Sequence, residues 1–263
     1  MKRFVTALAA AAVLAVAVGI APASAGEKLR IGVEGAYPPF SWKEADGTLM
    51  GFDIDIAMAL CEKMGRDCEL VEQDWDGIIP ALMAKKYDAI VASMSITEER
   101  KKRVDFTNKY YHEPAKFVAA KGSGLEASPE SLAGKAIGVQ RGTIHQCYME
   151  KMFPDTELRL YGTQEEVFLD LSAGRIDAQI SSSIQSEEGF LETDAGKDFE
   201  FVGGDQFLLE CHGEGAGIAV RKGEDELRES FNTAIKAIRD DGTYKEINEK
   251  YFKYDIYGEE PGA

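Results

Sequence analysis

Histidine and tryptophan are scarce in this 263-residue chain, which contains three of the first and two of the second. The histidines, His112, His145 and His212, lie far apart and form no motif with the close spacing of metal ligands. We therefore predict no metal site and no cofactor, and we expect each histidine to be a surface or hinge residue.

Basic residues are also fewer than acidic ones. The chain has 30 lysines and arginines against 46 aspartates and glutamates, which gives a formal net charge of −16. A strongly acidic surface repels nucleic acid and anionic lipid and weakly attracts cationic small molecules. This balance argues against a nucleic-acid partner, although solubility alone would account for the acidity.

The most apolar stretch lies at the N-terminus, in MKRFVTALAAAAVLAVAVGIAPASAG. Lys2 and Arg3 precede it, and Ala23-Ser24-Ala25 forms a small-x-small cleavage site, as is typical of a secretory signal peptide. The run is rich in alanine and shorter than the roughly 20 strongly apolar residues of a membrane span, and no cysteine follows it as a lipid attachment point. We therefore expect residues 1–25 to be removed and the mature protein to be periplasmic.

The chain has four cysteines, and in an exported protein these are candidates for disulfides. Cys61 and Cys68 flank a predicted helix end at Gly65 and a predicted strand near Glu69, so a short loop can bring them together. We predict this bridge, which is worth roughly 2–3 kcal/mol by loop-closure entropy. Cys147 and Cys211 are far apart in the sequence, and both pairing across the fold and two free thiols remain open.

Short apolar runs alternate with segments of helical periodicity. The first unit reads as strand, helix, strand, helix, strand, with Asp53 predicted to cap the first helix and Asp76 the second. A second unit begins with the strand and turn LAGKAIGVQRG and repeats the alternation, and the chain ends in a strand and two amphipathic helices. This order predicts α/β architecture with parallel sheets, whose ligands bind beyond the carboxyl ends of the strands.

The segment ASMSITEER, residues 92–100, lies at such a strand end. It places hydroxyl side chains ahead of Arg100, and a guanidinium offers a planar pair of donors that matches a carboxylate or a phosphate. The residues alone predict an anion site, with a solvated surface arginine as the alternative.

Eight segments, in this order and spacing, resemble one known family. They are EGAYPPF (34–40), GFDIDIA (51–57), WDGIIPAL (75–82), KKYDAI (85–90), SITEER (95–100), GKAIGVQRGT (134–143), SAGRIDA (172–178) and DGTYKEINEKYF (241–252). The chain resembles the periplasmic solute-binding proteins of polar amino acid ABC transporters, nearest the group that binds lysine, arginine, ornithine, histidine or opines. The resemblance covers essentially the whole mature chain.

The resemblance implies a two-lobed, type II periplasmic-binding-protein-like α/β fold with the ligand cleft between the lobes. Two crossover hinge strands are expected near residues 112–115 and 205–211. Lobe 1 would comprise residues 26–112 and 208–263, and lobe 2 residues 113–207.

The resemblance also assigns ligand contacts. Arg100 falls where the family binds the ligand's α-carboxylate, with help from a hydroxyl and from a helix N-terminus. Two aromatic residues would hold the ligand's aliphatic stem, and two acids would receive a cationic side-chain end. The full set of expected contacts is Glu34, Tyr37, Asp53, Trp75, Ser93, Ser95, Arg100, Gln140, Thr143 and Ser182.

Two positions depart from the family pattern. Ser182 stands where the amino acid binders carry an aspartate for the α-ammonium group, and Ala92 stands where the histidine and lysine binders have serine. An uncharged hydroxyl tolerates a substituted amine better than a carboxylate does, so an opine is an alternative to arginine, lysine, ornithine or histidine.

The fold is also similar to that of exported cyclohexadienyl or arogenate dehydratases and to the sensor domains of membrane kinases. A dehydratase needs a carboxylic acid in the cleft, expected near Ser182, where serine is too weak an acid. A sensor kinase needs a membrane span and cytoplasmic domains. We therefore expect a monomeric, non-catalytic receptor that captures a polar, cationic amino acid and delivers it to an inner-membrane ABC permease.

Overall fold

A computed structural model describes residues 28–258, so the predicted signal peptide lies outside the described residues. The thirteen described strands are β1 Leu29–Val33, β2 Ala36–Tyr37, β3 Ser41–Lys43, β4 Leu49–Met50, β5 Cys68–Glu72, β6 Ala89–Ile90, β7 Val104–Tyr111, β8 Ala115–Ala120, β9 Ala136–Gln140, β10 Glu157–Tyr161, β11 Ala178–Ser182, β12 Phe199–Gln206 and β13 Ala216–Arg221.

The ten described α-helices are α1 Phe52–Lys63, α2 Ile78–Met83, α3 Glu98–Lys101, α4 Pro129–Leu132, α5 Ile144–Met152, α6 Gln164–Ser172, α7 Ser183–Ser186, α8 Leu209–His212, α9 Asp225–Asp240 and α10 Thr243–Tyr251. A 3₁₀ turn at Trp75–Gly77 precedes α2, and a π-helical turn at Glu187–Leu191 follows α7. None of the described helices is long and apolar enough to cross a membrane.

Each lobe is built on a five-stranded mixed sheet. The first sheet has the order β5-β1-β6-β13-β7, with β5, β1 and β6 parallel to one another and β13 antiparallel to its two neighbours. The second sheet has the order β10-β9-β11-β8-β12, with β10, β9 and β11 parallel and β8 antiparallel to both β11 and β12. A small sheet of β2, β3 and β4 adjoins the first lobe. The predicted α/β class is confirmed.

The chain crosses between the sheets twice. The first crossing runs from Tyr111, at the end of β7, to Ala115, at the start of β8, and the second from Gln206 to Ala216. Helix α8 lies within the second crossing, and its Cys211 packs into the core of the second sheet. The predicted lobe boundary at 207/208 would place α8 in lobe 1, whereas this packing favours a boundary nearer Gly213.

Apolar side chains cover both faces of each sheet. In lobe 1, Phe52 and Phe231 belong to the core under α1, α9 and α10, while Leu82 and Tyr87 belong to the core under α2 on the other face. Lobe 2 has a corresponding pair of clusters. Parallel strands buried on both faces give the continuous apolar runs seen in the sequence.

Helix α1 begins one residue before the predicted cap. Its N-cap is Gly51, which has φ 129°, and a Cβ at that position would approach the carbonyl oxygen of Phe40 to 2.2 Å. Only glycine fits this close approach with a positive φ, so the turn fixes the helix start. The prediction that Asp53 caps the helix is therefore wrong, because Asp53 lies in the first turn and its side chain makes no cap hydrogen bond.

Both pairs of cysteines form disulfides. Cys61–Cys68 joins the end of α1 to β5 as predicted, and Cys147–Cys211 joins α5 to α8 across 64 residues. The question left open by the sequence is thereby answered in favour of pairing. The second bridge fastens α8, in the middle of the second crossing, to lobe 2.

Candidate functional site

A cavity lies between the two lobes, with both crossings at one side. Nine of the ten expected contacts line it, and the exception is Asp53. Its lining residues are Glu34, Tyr37, Trp75, Ala92, Ser93, Ser95, Arg100, Tyr111, His112, Glu113, Pro114, Ala115, Gln140, Thr143, Ile144, His145, Ser182, His212, Gly215 and Ala216.

Arg100 supplies the positive charge of the cavity. Thr97 caps the short helix α3, which positions Arg100 after β6. The guanidinium donates hydrogen bonds from Nη1 to the carbonyl oxygen of Ser95 at 3.0 Å and from Nη2 to that of Gly142 at 3.4 Å. Within residues 28–258 it forms no ion pair, and burial lowers its pKa to about 10. The site therefore presents a guanidinium whose charge is not balanced by a carboxylate of the described chain.

Two aromatic side chains enclose the cavity. The indole ring of Trp75 lies under the guanidinium of Arg100, with 5.2 Å from the ring centroid to Cζ. The hydroxyl of Tyr37, in lobe 1, lies 3.1 Å from the hydroxyl of Ser181, in lobe 2. Such flat apolar faces suit an aliphatic chain, and aromatic rings also attract a cationic end group.

Glu34 places a carboxyl group on the lobe 1 side. It follows β1 directly, and its Oε1 accepts a hydrogen bond from Nε2 of Gln140, in lobe 2, at 2.6 Å. Burial raises the pKa of Glu34 to about 7, and the nearby Asp53 adds to this increase. No positively charged group of the described chain helps to stabilise the ionised form of Glu34.

Asp53 lies behind the cavity wall and does not line it. Its carboxylate accepts hydrogen bonds from the hydroxyl of Tyr110 at 2.7 Å and from the hydroxyl of Ser93 at 2.8 Å. Ser93 has φ 51°, an unfavourable left-handed conformation for a serine, and its N–H donates to the Tyr110 hydroxyl at 3.0 Å. Asp53 and Tyr110 thereby hold Ser93 in a strained position at the cavity wall.

Thr143 and Ser95 occupy the positions that the sequence predicts. Thr143 is the N-cap of α5, and its hydroxyl donates to the carbonyl oxygen of Gln140 at 2.7 Å. The free N–H groups of a helix N-terminus favour an anion, and α5 begins at the cavity wall. Ser95 lies next to Arg100 and bridges to Ala216 of β13.

Ser182 ends β11 and caps α7, with its hydroxyl accepting from the N–H of Gln185 at 3.2 Å. Beside it lies Glu113, which the sequence reasoning did not identify. Glu113 accepts a hydrogen bond from the N–H of Ile184 at 3.2 Å, and the hydroxyl of Ser182 beside it favours the ionised carboxylate. Burial raises the pKa of Glu113 to about 8. A sequence signal existed, because Glu113 is the one acid in the predicted crossing 112–115.

All three histidines line the cavity. His112 and His212 lie on the two crossings, so the expectation of a surface or hinge residue is wrong only for His145, a buried residue of α5. His145 and His212 are buried, with their ring centroids 6.3 Å apart, and His112 lies on the first crossing. Burial lowers the pKa of each, to about 3 for His145. The imidazoles are therefore neutral near pH 7, so they add polar groups but no charge to the cavity.

These features define a ligand-binding cleft between two lobes, closed by hydrogen bonds that cross from one lobe to the other. The match to a family model identifies the class. Residues 29–254 match the bacterial extracellular solute-binding proteins, family 3, and the chain belongs to that family.

Individual relatives agree with the family match. The chain is 50% identical to the L-arginine-binding protein of Pseudomonas aeruginosa over 95% of this chain and 98% of the relative. It is 40% identical to the lysine/arginine/ornithine-binding periplasmic protein of Escherichia coli over 89% of this chain and 90% of the relative. A solved structure of an ancestral arginine-binding protein bound to arginine has a TM-score of 0.79 and 39% identity, and the match covers 86% of this chain and 98% of that one. The predicted family and fold are thus confirmed.

The raised pKa values predict how stability changes with pH. Glu34 and Glu113 release their protons only near pH 7 and 8 in the folded protein, whereas in the unfolded chain they do so near 4 to 4.5. The folded state therefore binds more protons than the unfolded chain between about pH 4.5 and 8, and stability falls as pH rises through that range. Above pH 7 most of the fall comes from Glu113, and Glu34 and Asp53, whose pKa values are both raised to about 7, add a smaller part. We expect the unfolding free energy of the ligand-free protein to decrease by about 1–2 kcal/mol between pH 7 and 8.5.

Urea unfolding at pH 7, 7.75 and 8.5 measures this decrease. The histidines oppose the decrease only weakly, because their ordinary pKa of about 6.5 lies below this window and few of their protons are left to lose in the unfolded chain. Glu113→Gln should flatten most of the profile in this window, whereas Glu130→Gln, at an exposed position of α4, should leave it unchanged. A free energy of unfolding that rises with pH would contradict the assignment of raised pKa values.

Proposed function

We propose that this protein is a periplasmic receptor that captures a basic amino acid, arginine above all, and delivers it to an inner-membrane ABC permease. The observation that carries the proposal is the charge pattern of the cleft. Arg100 has no carboxylate partner in the described chain, and Glu34 and Glu113 have no cationic partner there. A ligand with one carboxylate and a cationic side chain complements these groups.

The binding mode follows from the geometry. The ligand's α-carboxylate pairs with Arg100, next to the N-terminus of α5, and its aliphatic stem lies between Tyr37 and Trp75. Its cationic end reaches Glu34 and displaces or shares the hydrogen bond with Gln140. Because the contacts come from both lobes, the bound ligand favours the closed arrangement, which the permease would recognise.

The names of the relatives support the same ligand class, since they bind arginine or a group of basic amino acids. The relatives are also named as binding proteins and not as enzymes. The earlier argument against a dehydratase was that no acid lies near Ser182, and Glu113 removes that argument. The proposal of a non-catalytic receptor therefore rests on the relatives and on the charge match, and an assay for arogenate dehydration, with no turnover expected, checks it.

A thermal-shift panel tests the ligand class. Arginine, lysine, ornithine, histidine, octopine and glutamine are added separately to the mature protein. A ligand at 100 times its Kd stabilises the folded state by about 2.7 kcal/mol, so we expect the largest shift with arginine and little with glutamine. The largest shift with octopine would instead identify an opine receptor, and no shift with any of the six would overturn the proposal.

Arg100→Met should weaken the binding of every ligand in the panel more than a hundredfold, because it removes the partner of the α-carboxylate in a desolvated site. Isothermal titration calorimetry measures the loss. The matched control is Arg103→Met, at an exposed position three residues away, which should bind as the wild type does. Binding of the Arg100 variant within tenfold of wild type would mean that Arg100 does not contact the ligand.

Glu34→Gln should weaken arginine about tenfold or more and glutamine only slightly, because only a cationic end group loses a charge-assisted hydrogen bond. The substituted amide oxygen can still accept from Gln140, so the contact between the lobes is retained. Competition binding of the two ligands decides the matter. Equal losses for arginine and glutamine would contradict a charge-specific role for Glu34.

A further inference from the structure

Glu113 occupies an unusual place in the fold. It belongs to neither sheet and lies on the first crossing, two residues after the end of β7 and two before the start of β8. Its side chain lines the cavity, and its Oε2 accepts a hydrogen bond from the N–H of Ile184, in lobe 2. Within the described chain no lysine or arginine pairs with it. An acid is therefore held at the cavity without a positive partner.

The charges that line the cavity can be matched against a basic amino acid. Such a ligand has one carboxylate and two cationic groups, the α-ammonium and the side-chain end. The cavity lining has one guanidinium, Arg100, and two carboxyl groups, Glu34 and Glu113, while its histidines are neutral near pH 7. If Glu34 receives the side-chain end, Glu113 is the one acid of the lining that is left for the α-ammonium.

The position of Ser182 strengthens this match. Its hydroxyl accepts from the N–H of Gln185 and can donate its own proton to the neighbouring carboxyl of Glu113. A serine cannot balance the charge of an ammonium group, but here it orients a carboxyl group that can.

We propose that Glu113 is a specificity-determining residue that receives the α-ammonium group of the bound amino acid, with Ser182 positioning its carboxylate. This inference rests on the proposed function. It assigns the acid that binds the α-ammonium to the first crossing between the lobes. At the position where the family carries an aspartate for this group, the chain has only the uncharged Ser182.

Proton release is a second consequence. The groups around Glu113 are Tyr37 and Asp53 of lobe 1, Tyr111 on its own segment, Ser182 and the Ile184 N–H of lobe 2, and Tyr254 near the C-terminus. None of these is a cation, and burial keeps the pKa of Glu113 near 8, so its carboxyl is mostly protonated at pH 7. An ammonium group that arrives beside it favours the ionised form, and binding then releases a proton to the buffer.

The test compares L-arginine with 5-guanidinopentanoic acid, which is arginine without its α-amino group. Glu113→Gln should weaken arginine about ten- to hundredfold, as expected for the loss of a charge-assisted hydrogen bond, and should weaken the desamino compound less than threefold. Glu34→Gln serves as the matched comparison, because it should weaken both compounds, which share the guanidinium end. Glu130→Gln controls for the loss of one negative charge and should change neither.

Calorimetry at pH 7 in phosphate and in Tris gives the number of protons released. The wild type should release more protons on binding arginine than Glu113→Gln does, and the desamino compound should show no such difference. Equal weakening of arginine and the desamino compound, or equal proton release by wild type and variant, would overturn the assignment of Glu113 alone. A wild type that binds neither compound would overturn the proposed function together with this assignment.

Folding of the variant is checked by its melting temperature. If Glu113→Gln does not fold, Glu113→Asp replaces it, since aspartate keeps the charge but shortens the side chain. That variant should lose part of the preference for arginine over the desamino compound and retain the proton release. An unchanged preference in Glu113→Asp would also count against the proposal.

Discussion

Arg100 carries a positive charge into the cleft, where the described chain gives it two carbonyl oxygens and an aromatic face but no carboxylate. A charge withdrawn from water without a partner costs several kcal/mol, so the protein alone does not satisfy this group. The need of Arg100 for an anionic partner accounts for the character of the rest of the site. The N-terminus of α5 carries a partial positive charge of its own, so it does not relieve the guanidinium, and the two together favour an anion. The lining also holds two carboxyl groups, Glu34 and Glu113, and a zwitterion with a cationic tail can complete this charge pattern.

The same residues link ligand capture to lobe closure. Glu34 reaches Gln140, and Tyr37 reaches Ser181, so two side chains that line the cavity also bridge the lobes. A ligand that contacts both lobes stabilises the closed form in addition to these bridges. It shifts the open–closed equilibrium only by the difference between its affinities for the closed and the open form. Cys147–Cys211 fixes α8, in the middle of the second crossing, to α5 of lobe 2.

Features that depend on local sequence could be predicted, whereas those that depend on distant contacts could not. The alternation of strands and helices and the Cys61–Cys68 bridge each follow from residues close together in the chain. The cap prediction for Asp53 failed because a distant carbonyl, that of Phe40, requires glycine at position 51. Glu113 was missed and His145 was misjudged for a related reason. Glu113 lies in a predicted hinge and His145 in a predicted helix, and only the contacts of the first crossing with α7 and of α5 with α8 place these side chains at the cavity.

The opine alternative can be argued further from this geometry. It rested on Ser182, since an uncharged hydroxyl does not repel the second carboxylate of an N-substituted amino acid. A carboxyl group at Glu113 changes that argument, because it lies beside Ser182 at the cavity. When ionised, Glu113 favours a primary ammonium and repels a second carboxylate; when protonated, it can donate a hydrogen bond to one. If Glu113 faces the α-nitrogen, discrimination between simple and N-substituted ligands is therefore set by its protonation, and it favours simple basic amino acids more strongly as pH rises through about 8.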